Sequence, residues 1–448
     1  MPLLTDLHKT WNYLRRNGVS ETAYAAAERL RQKRTDRAYS YTPPSAETLR
    51  SQHALWELLD QGATPEEVFG PEFSGRNMPK ISILVPCCET RESFLRALLD
   101  SVMAQSYGSF ELILADASLG DGVRAVAEEY TDPRICYHRL PGNGGISRNT
   151  NAAAVFAEGD YIALLDHDDL LTPDALFEAA MGILKTGCEI LYSDEDKCDE
   201  KGLRFFEANR KPDFNYDYFL SNNYICHLLV MKRGLFLALR LRSEYDGAQD
   251  YDLLLRAPHT QICHVAKVLY HWRTHAGSTA GDPSGKDYAA EAGRAALEEY
   301  LRSAGIRAVV THSRHRGFYD LRYEPDIFAA RADVGVIGGK VVDRRGRIVS
   351  GMLDKDGNVL FEGMPVRWSG PMHRADTRQN AAAVDVRCMR IRPELRALYE
   401  EVFHSPYEEH VMPQGMDLRA ESLAFCSRAA ALGYCTVWEP SMVVRLGK

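Results

Sequence analysis

Three carboxylates fall within four positions at Asp166-His167-Asp168-Asp169, directly after the apolar run Tyr161 to Leu165. Acids this close repel one another unless a cation or several donors neutralise them. Hard carboxylate oxygens suit Mg²⁺ or Mn²⁺, and Mg²⁺ commonly takes one or two carboxylates together with substrate phosphates. The plain alternative is a solvated turn with helix N-caps. Further along come a second acidic knot, Asp194-Glu195-Asp196-Lys197, an acidic helix start, Gln249-Asp250-Tyr251-Asp252, and the run His271-Trp272-Arg273-Thr274-His275.

An apolar run bounded by turn signals reads as a buried strand, and Pro173 suits the first turn of the next helix. The acids of 166–169 therefore stand at the C-terminal end of a central strand, where open α/β sheets bind ligands. Upstream, strands are expected over 80–86, 110–115 and 135–139, alternating with helices over 94–105, 123–130 and 146–157. Downstream, helices are expected over 176–185, 247–256 and 288–304, and strands over 189–193, 224–231 and 262–270. The alternation predicts a mainly parallel sheet with right-handed crossovers.

The 448 residues allow two or three domains, and 45% hydrophobic content supplies an ordinary core. A net charge of -8 argues against a nucleic-acid-binding surface. Ten cysteines without any CxxC spacing read as thiols of a reducing compartment, not a disulfide framework or zinc site. No secretory signal is evident after Met1, and no uncharged apolar run approaches the roughly 18 residues of a membrane span. Residues 1–78 read as helical and irregular. They carry the basic cluster Arg29, Arg31, Lys33, Arg34 and Arg37, either a solvated helix face or a contact with an anionic membrane surface.

The ordered set Ile83-Leu84-Val85-Pro86, Ser101 to Tyr107, Ala115-Asp116-Ala117-Ser118, Ile146-Ser147-Arg148-Asn149, Asp166-His167-Asp168-Asp169, Gln249-Asp250-Tyr251-Asp252 and Tyr270-His271-Trp272-Arg273 resembles the family 2 glycosyltransferases over about residues 80–312. The resemblance extends to enzymes of bacterial surface polysaccharides, including rhamnosyltransferases. It implies a GT-A fold, Rossmann-like and mainly parallel, over 79–315. It also implies an inverting transfer of a hexose from a UDP- or dTDP-sugar to a growing, lipid-linked or free glycan. Asp250 would be the general base, or in the plain reading a helix N-terminal acid. Pro86, Glu89, Asp116, Asn143, Arg148, Asp166, Arg273 and Ser278 would bind the donor, with Asp116 reading the base. Asp166, Asp168, Asp169 and His271 would hold Mn²⁺ or Mg²⁺ in a DXD-type motif. Asp194, Asp196, Asn222, Asn223 and His227 would line the acceptor side or satisfy backbone groups.

The chain departs from the family pattern at Cys87-Cys88-Glu89 and at the single acid of Ala115-Asp116, both beside the nucleoside. The expected location is cytoplasmic and peripheral at the inner face of the plasma membrane. A non-catalytic glycan- or nucleotide-sugar-binding protein is the competing class. A nucleotidyltransferase fits less well, because Cys87-Cys88-Glu89-Thr90 is no Gly-rich phosphate loop.

Residues 316–448 resemble the second half of a family 2 catalytic domain, with Ser422 at the place of Asp250 and Ala424 at that of Asp252. A degenerate α+β half-domain is expected, one that packs on the first domain, supports a homodimer or holds acceptor glycan. The alternative is an independent small domain.

Overall fold

The structure, a computed structural model, describes residues 11, 14–15, 18–19, 22–30, 39–275, 285–408 and 417–447. Two compact units divide the chain. One comprises Lys33–Phe214 and Tyr224–Ala296, the other Met1–Gln32, Asn215–Asn223 and Leu297–Lys448.

The first unit is built on a nine-stranded sheet of order β3-β2-β1-β4-β8-β6-β9-β5, with β7 paired to β6. Its strands are β1 Ile81–Cys87, β2 Phe110–Asp116, β3 Ile135–Arg139, β4 Tyr161–Leu164, β5 Leu170–Leu171, β6 Ile190–Cys198, β7 Phe205–Asn209, β8 Leu229–Lys232 and β9 Ile262–Arg273. β1 runs parallel to β2 and β4, and β2 parallel to β3, so their C-terminal ends share one edge. Every residue of β1 and β2 is buried, as a parallel sheet covered on both faces requires. The cover includes α1 Glu92–Met103, which buries Leu95, Leu98, Leu99 and Val102 at helical spacing. Gly159 lets β4 enter beside β1, since a Cβ there would lie 2.7 Å from the Lys80 carbonyl oxygen.

Two elements differ from the sequence expectation. The strand expected over 224–231 begins only at Leu229; before it, the carbonyls of Ile225 and His227 accept from the Lys211 ammonium (3.1 and 2.5 Å). The strand expected over 189–193 continues through Cys198, so Asp194, Glu195 and Asp196 belong to β6 and not to a loop.

Residues 39–78 cluster with this sheet. Trp56, on the helix Ala46–Asp60, meets the Tyr107 ring edge-on at 4.8 Å, and the Ser106 hydroxyl donates to Gln52 Oε1 at 2.7 Å. Among the described residues no helix is long and apolar enough to cross a membrane.

The second unit holds a five-stranded sheet of order β13-β12-β18-β15, with β17 also on β12. Its strands are β12 Val334–Val342, β13 Ile348–Ser350, β15 Gln379–Ala381, β17 Met389–Ile391 and β18 Cys435–Arg445. The pairs β10 Ala308–His312 with β11 Tyr319–Tyr323, and β14 Met352–Leu353 with β16 Ala383–Val384, lie outside it. The single strand expected over 347–352 is broken at Gly351, where φ is 148° and a Cβ would lie 2.8 Å from both the Gly339 carbonyl and the Trp438 ring. Ser422 lies buried in the helix Leu418–Ala431. Its hydroxyl donates to the Leu418 carbonyl at 2.5 Å and accepts the Val386 N–H at 2.9 Å.

Candidate donor and catalytic site

The chain leaves β4 through Asp166 to Asp169 and is fixed at once by β5, which pairs antiparallel with β9 so that Leu170 faces His271 and Leu171 faces Tyr270. This puts the acidic turn against the end of β9. The Tyr270 hydroxyl accepts the Asp166 N–H at 3.4 Å and donates to Asp169 Oδ2 at 2.5 Å. Asp169 Oδ1 accepts the Arg273 N–H at 2.7 Å. Asp169 is fully buried, and burial with the charges of Asp166 and Asp168 raises its carboxyl well above the usual range. The sequence offered Asp169 as a metal ligand. The fold turns it inward, where both oxygens hold the turn.

Asp166 and Asp168 face the other way. Asp166 is exposed by surface area, yet protein packs closely enough around its carboxylate that burial, with the charges of Asp168 and Asp250, raises its pKa against the opposing pull of His227. Asp168 Oδ2 meets His275 Nε2 at 2.8 Å, and its carbonyl accepts from Arg273 Nε. His275 was not singled out in the sequence, although it ends the run that begins at His271. Arg273 lies over the Phe94 ring at 4.8 Å, donates from Nη1 to the Glu200 carbonyl at 2.8 Å, and leaves a buried Nη2 without a hydrogen-bond partner.

Asp250 sits in the first turn of the helix Gln249–Arg256. Its Oδ1 accepts the Tyr251 N–H at 2.9 Å, and its Oδ2 accepts the Cys226 S–H at 2.7 Å. Asp252 behind it is buried and ion-paired to Arg242 and Arg256, which locks the helix start.

His227 stacks on Tyr270 with ring centroids 4.8 Å apart, and its Nδ1 lies 3.1 Å from Glu195 Oε2. Burial alone would raise Glu195 and lower His227. The Lys211 ammonium and the imidazole instead pull Glu195 down to about 2, while Glu195, Asp166 and Asp169 push His227 up to about 9. The Glu195–His227 pair thus stands beside the acidic turn, with the imidazole favoured in its charged form.

Several residues expected at the site are buried with their polar atoms bonded inside the fold. Asp194 is buried, and its Oδ1 meets the Lys211 N–H at 2.8 Å and His264 Nε2 at 3.0 Å. Asp196 is buried between His271 Nδ1 at 2.5 Å and the Tyr39 hydroxyl at 2.7 Å. His271, expected at a metal, is buried in turn among the rings of Tyr41 and Phe205 at 4.6 and 4.2 Å. Asp116, expected to read a base, is buried too. Burial would raise it, but bonds from the Ser118 N–H, the Tyr137 hydroxyl and Arg139 hold it below the usual range and occupy both oxygens.

On the nucleoside side, Pro86 lies buried in β1 opposite Ala115. Exposed Glu89 accepts the Leu119 N–H at 2.6 Å. Asn143 accepts from the Gly145 N–H and from Asn149, each at 3.0 Å, shaping the glycine loop, and Arg148 beside it is exposed. Asn222 and Asn223 fall in the second unit, and Ser278 lies outside the described residues.

Among the described residues no three His, Cys, Asp or Glu side chains converge closely enough to hold a metal ion by themselves. Asp166 and Asp168 still fit a hard divalent ion that takes its remaining oxygens from a nucleotide, as Mg²⁺ commonly does. The crowding that raises Asp166 and the orphaned Arg273 Nη2 both match a cation with a diphosphate.

Residues 82–241 match the profile of Glycosyl transferase family 2. The chain is 38% identical over 324 residues to uncharacterized protein y4gI of Sinorhizobium fredii, covering 68% of this chain and 35% of that protein. It is 34% identical over 262 residues to O-antigen biosynthesis protein RfbC of Myxococcus xanthus, covering 56% and 20%. To the putative colanic acid biosynthesis glycosyl transferase WcaA of Escherichia coli it is 29% identical over 190 residues, covering 40% and 67%. The chain thus spans 35% of y4gI and 20% of RfbC. The sheet that ends in Asp166 and Asp168 is of the GT-A kind, and residues 82–241 form a domain of glycosyl transferase family 2.

Proposed function

We propose that this chain is an inverting, divalent-metal-dependent hexosyltransferase. In this reading it moves a sugar from a UDP- or dTDP-sugar to a growing cell-surface polysaccharide, lipid-linked during assembly. The observation that carries the reading is one short chain of contacts from the acidic turn to Asp250: the Tyr270 hydroxyl takes the Asp166 N–H, His227 stacks on Tyr270 at 4.8 Å, and the adjacent Cys226 thiol meets Asp250 Oδ2 at 2.7 Å. The acceptor class is supported by the similarity to RfbC and WcaA, proteins named for O-antigen and colanic acid biosynthesis.

Asp250 removes the proton of an acceptor hydroxyl as that oxygen bonds to the anomeric carbon from the face opposite the diphosphate. The bond from the anomeric carbon to the diphosphate oxygen breaks in the same step, which inverts the centre and needs no protein nucleophile. Bound Mn²⁺ or Mg²⁺ supplies charge stabilisation to the departing diphosphate. Arg273 donates from Nη2 to a phosphate oxygen, and Asn143 and Arg148 approach the diphosphate from the glycine loop.

The basic cluster 29–37, most of it outside the described residues, holds the enzyme at an anionic leaflet, each charge contributing about 1 kcal/mol near the surface. The test is nucleotide diphosphate release from a panel of UDP- and dTDP-hexoses, with and without Mn²⁺. Metal-dependent release from one donor supports the reading. Tight donor binding without turnover, with any acceptor glycan supplied, would instead make the chain a binding protein on this fold.

A further inference from the structure

Cys226 and His227 are consecutive residues with unlike duties. The backbone around them is pinned from both sides. The Lys211 ammonium holds the carbonyls of Ile225 and His227, and the Glu195 carboxylate takes the His227 N–H. Lys211 and Glu195 are both buried, so the short loop before β8 is held from the interior. From this platform Cys226 directs its thiol to Asp250 Oδ2 at 2.7 Å, while the Tyr251 N–H holds Oδ1 at 2.9 Å. One bond comes from the backbone of the helix that carries Asp250. The other comes from a separate, rigidly held segment. Together they fix the rotation of the carboxylate about its Cβ–Cγ bond, which a single bond from the helix does not.

We propose that Cys226 is the positioning residue of Asp250, orienting the carboxylate toward the acceptor hydroxyl. This rests on the reading of Asp250 as the base. A neutral thiol suits the task because it donates only weakly. It orients the carboxylate without placing a formal positive charge beside it, as an ammonium or guanidinium would. A serine hydroxyl reproduces the donor in a smaller side chain, and alanine removes it.

The experiment uses the full chain carrying Cys226→Ala, Cys226→Ser, Asp250→Asn and the Cys226→Ala/Asp250→Asn pair. Turnover is read as nucleotide diphosphate release from UDP- and dTDP-hexoses with Mn²⁺, water serving as acceptor, and binding is read by calorimetry with UDP and Mn²⁺. Cys226→Ala is expected to lower kcat about 10-fold, the order of one hydrogen bond to a charged group, with UDP affinity unchanged. The acid limb of its kcat/KM profile should move to higher pH, because the carboxylate has lost a donor. Cys226→Ser should recover most of the rate, and Cys226→Ala should add no further loss once Asp250 is already Asn.

An unchanged rate and acid limb in Cys226→Ala overturns the inference. So does an equal loss in Ala and Ser variants with weakened UDP binding, which marks a packing role. Asp250→Asn separates the two claims: full turnover in that variant overturns the base itself, whereas its loss beside a normal Cys226→Ala overturns only the role of the thiol.

Discussion

The Tyr270 hydroxyl donates to Asp169 at 2.5 Å while accepting the backbone N–H of Asp166, and this relay sorts the acidic turn into an inner and an outer set. Asp169 is the inner acid. Asp166 is left exposed, and Asp168 is half-buried against His275. The Arg273 backbone N–H completes the inner set, so the strand that holds the turn also delivers the guanidinium.

That division predicts opposite consequences for neighbouring acids. Asp168→Ala should abolish divalent-dependent UDP or dTDP binding with little change in thermal midpoint. Asp169→Ala should remove two buried acceptors and cost on the order of 2–4 kcal/mol of stability. Calorimetry with Mn²⁺ and nucleotide, alongside thermal unfolding, checks both. Unchanged metal-dependent affinity in Asp168→Ala would remove it from the metal site.

Asp250→Asn should bind donor normally and lose transfer by about 10²-fold or more. Equal loss of binding would make Asp250 a donor ligand or a structural acid. Binding and single-turnover measurements on one preparation distinguish these outcomes.

The Glu195–His227 pair predicts a stability profile with two limbs. Glu195 falls from 4.5 to about 2, so its contribution is present above about 4.5 and is lost as pH falls toward 2. His227 rises from 6.5 to about 9, so its contribution is present below about 6.5 and is lost as pH rises through 9. Thermal midpoints should therefore decline on both sides of that window. Glu195→Gln should lower the plateau and flatten the alkaline decline. An alkaline limb of full size in that variant would show that the imidazole is not held by Glu195.

Ser422→Asp should create no activity in the second unit and should destabilise the chain. A carboxylate there would be buried, in place of a hydroxyl that donates to the Leu418 carbonyl and accepts from the Val386 N–H. Donor turnover and thermal unfolding of this variant in an Asp250→Asn background test both halves of the statement.

The sequence by itself determined the scaffold and the place of the acidic turn. The apolar runs of β1, β2 and β4 and the 3–4 spacing of Leu95, Leu98, Leu99 and Val102 are local patterns with one buried solution. The abrupt change from Leu165 to Asp166 marks the sheet edge because strands bury apolar side chains and their ends do not. Only the tertiary structure decided which acids remain available. Asp169, Asp194 and Asp196 have the same side chain as Asp166 and Asp168, and nothing local separates them. Their partners Tyr270, His264 and His271 come from β9, between 70 and 101 residues away along the chain. The same holds for Cys226, whose meaning depends on a carboxylate 24 positions on and a lysine that draws the loop into place. A carboxylate's role follows from how many of its lone pairs the fold has already filled, and that is set by contacts made only when distant strands are brought together.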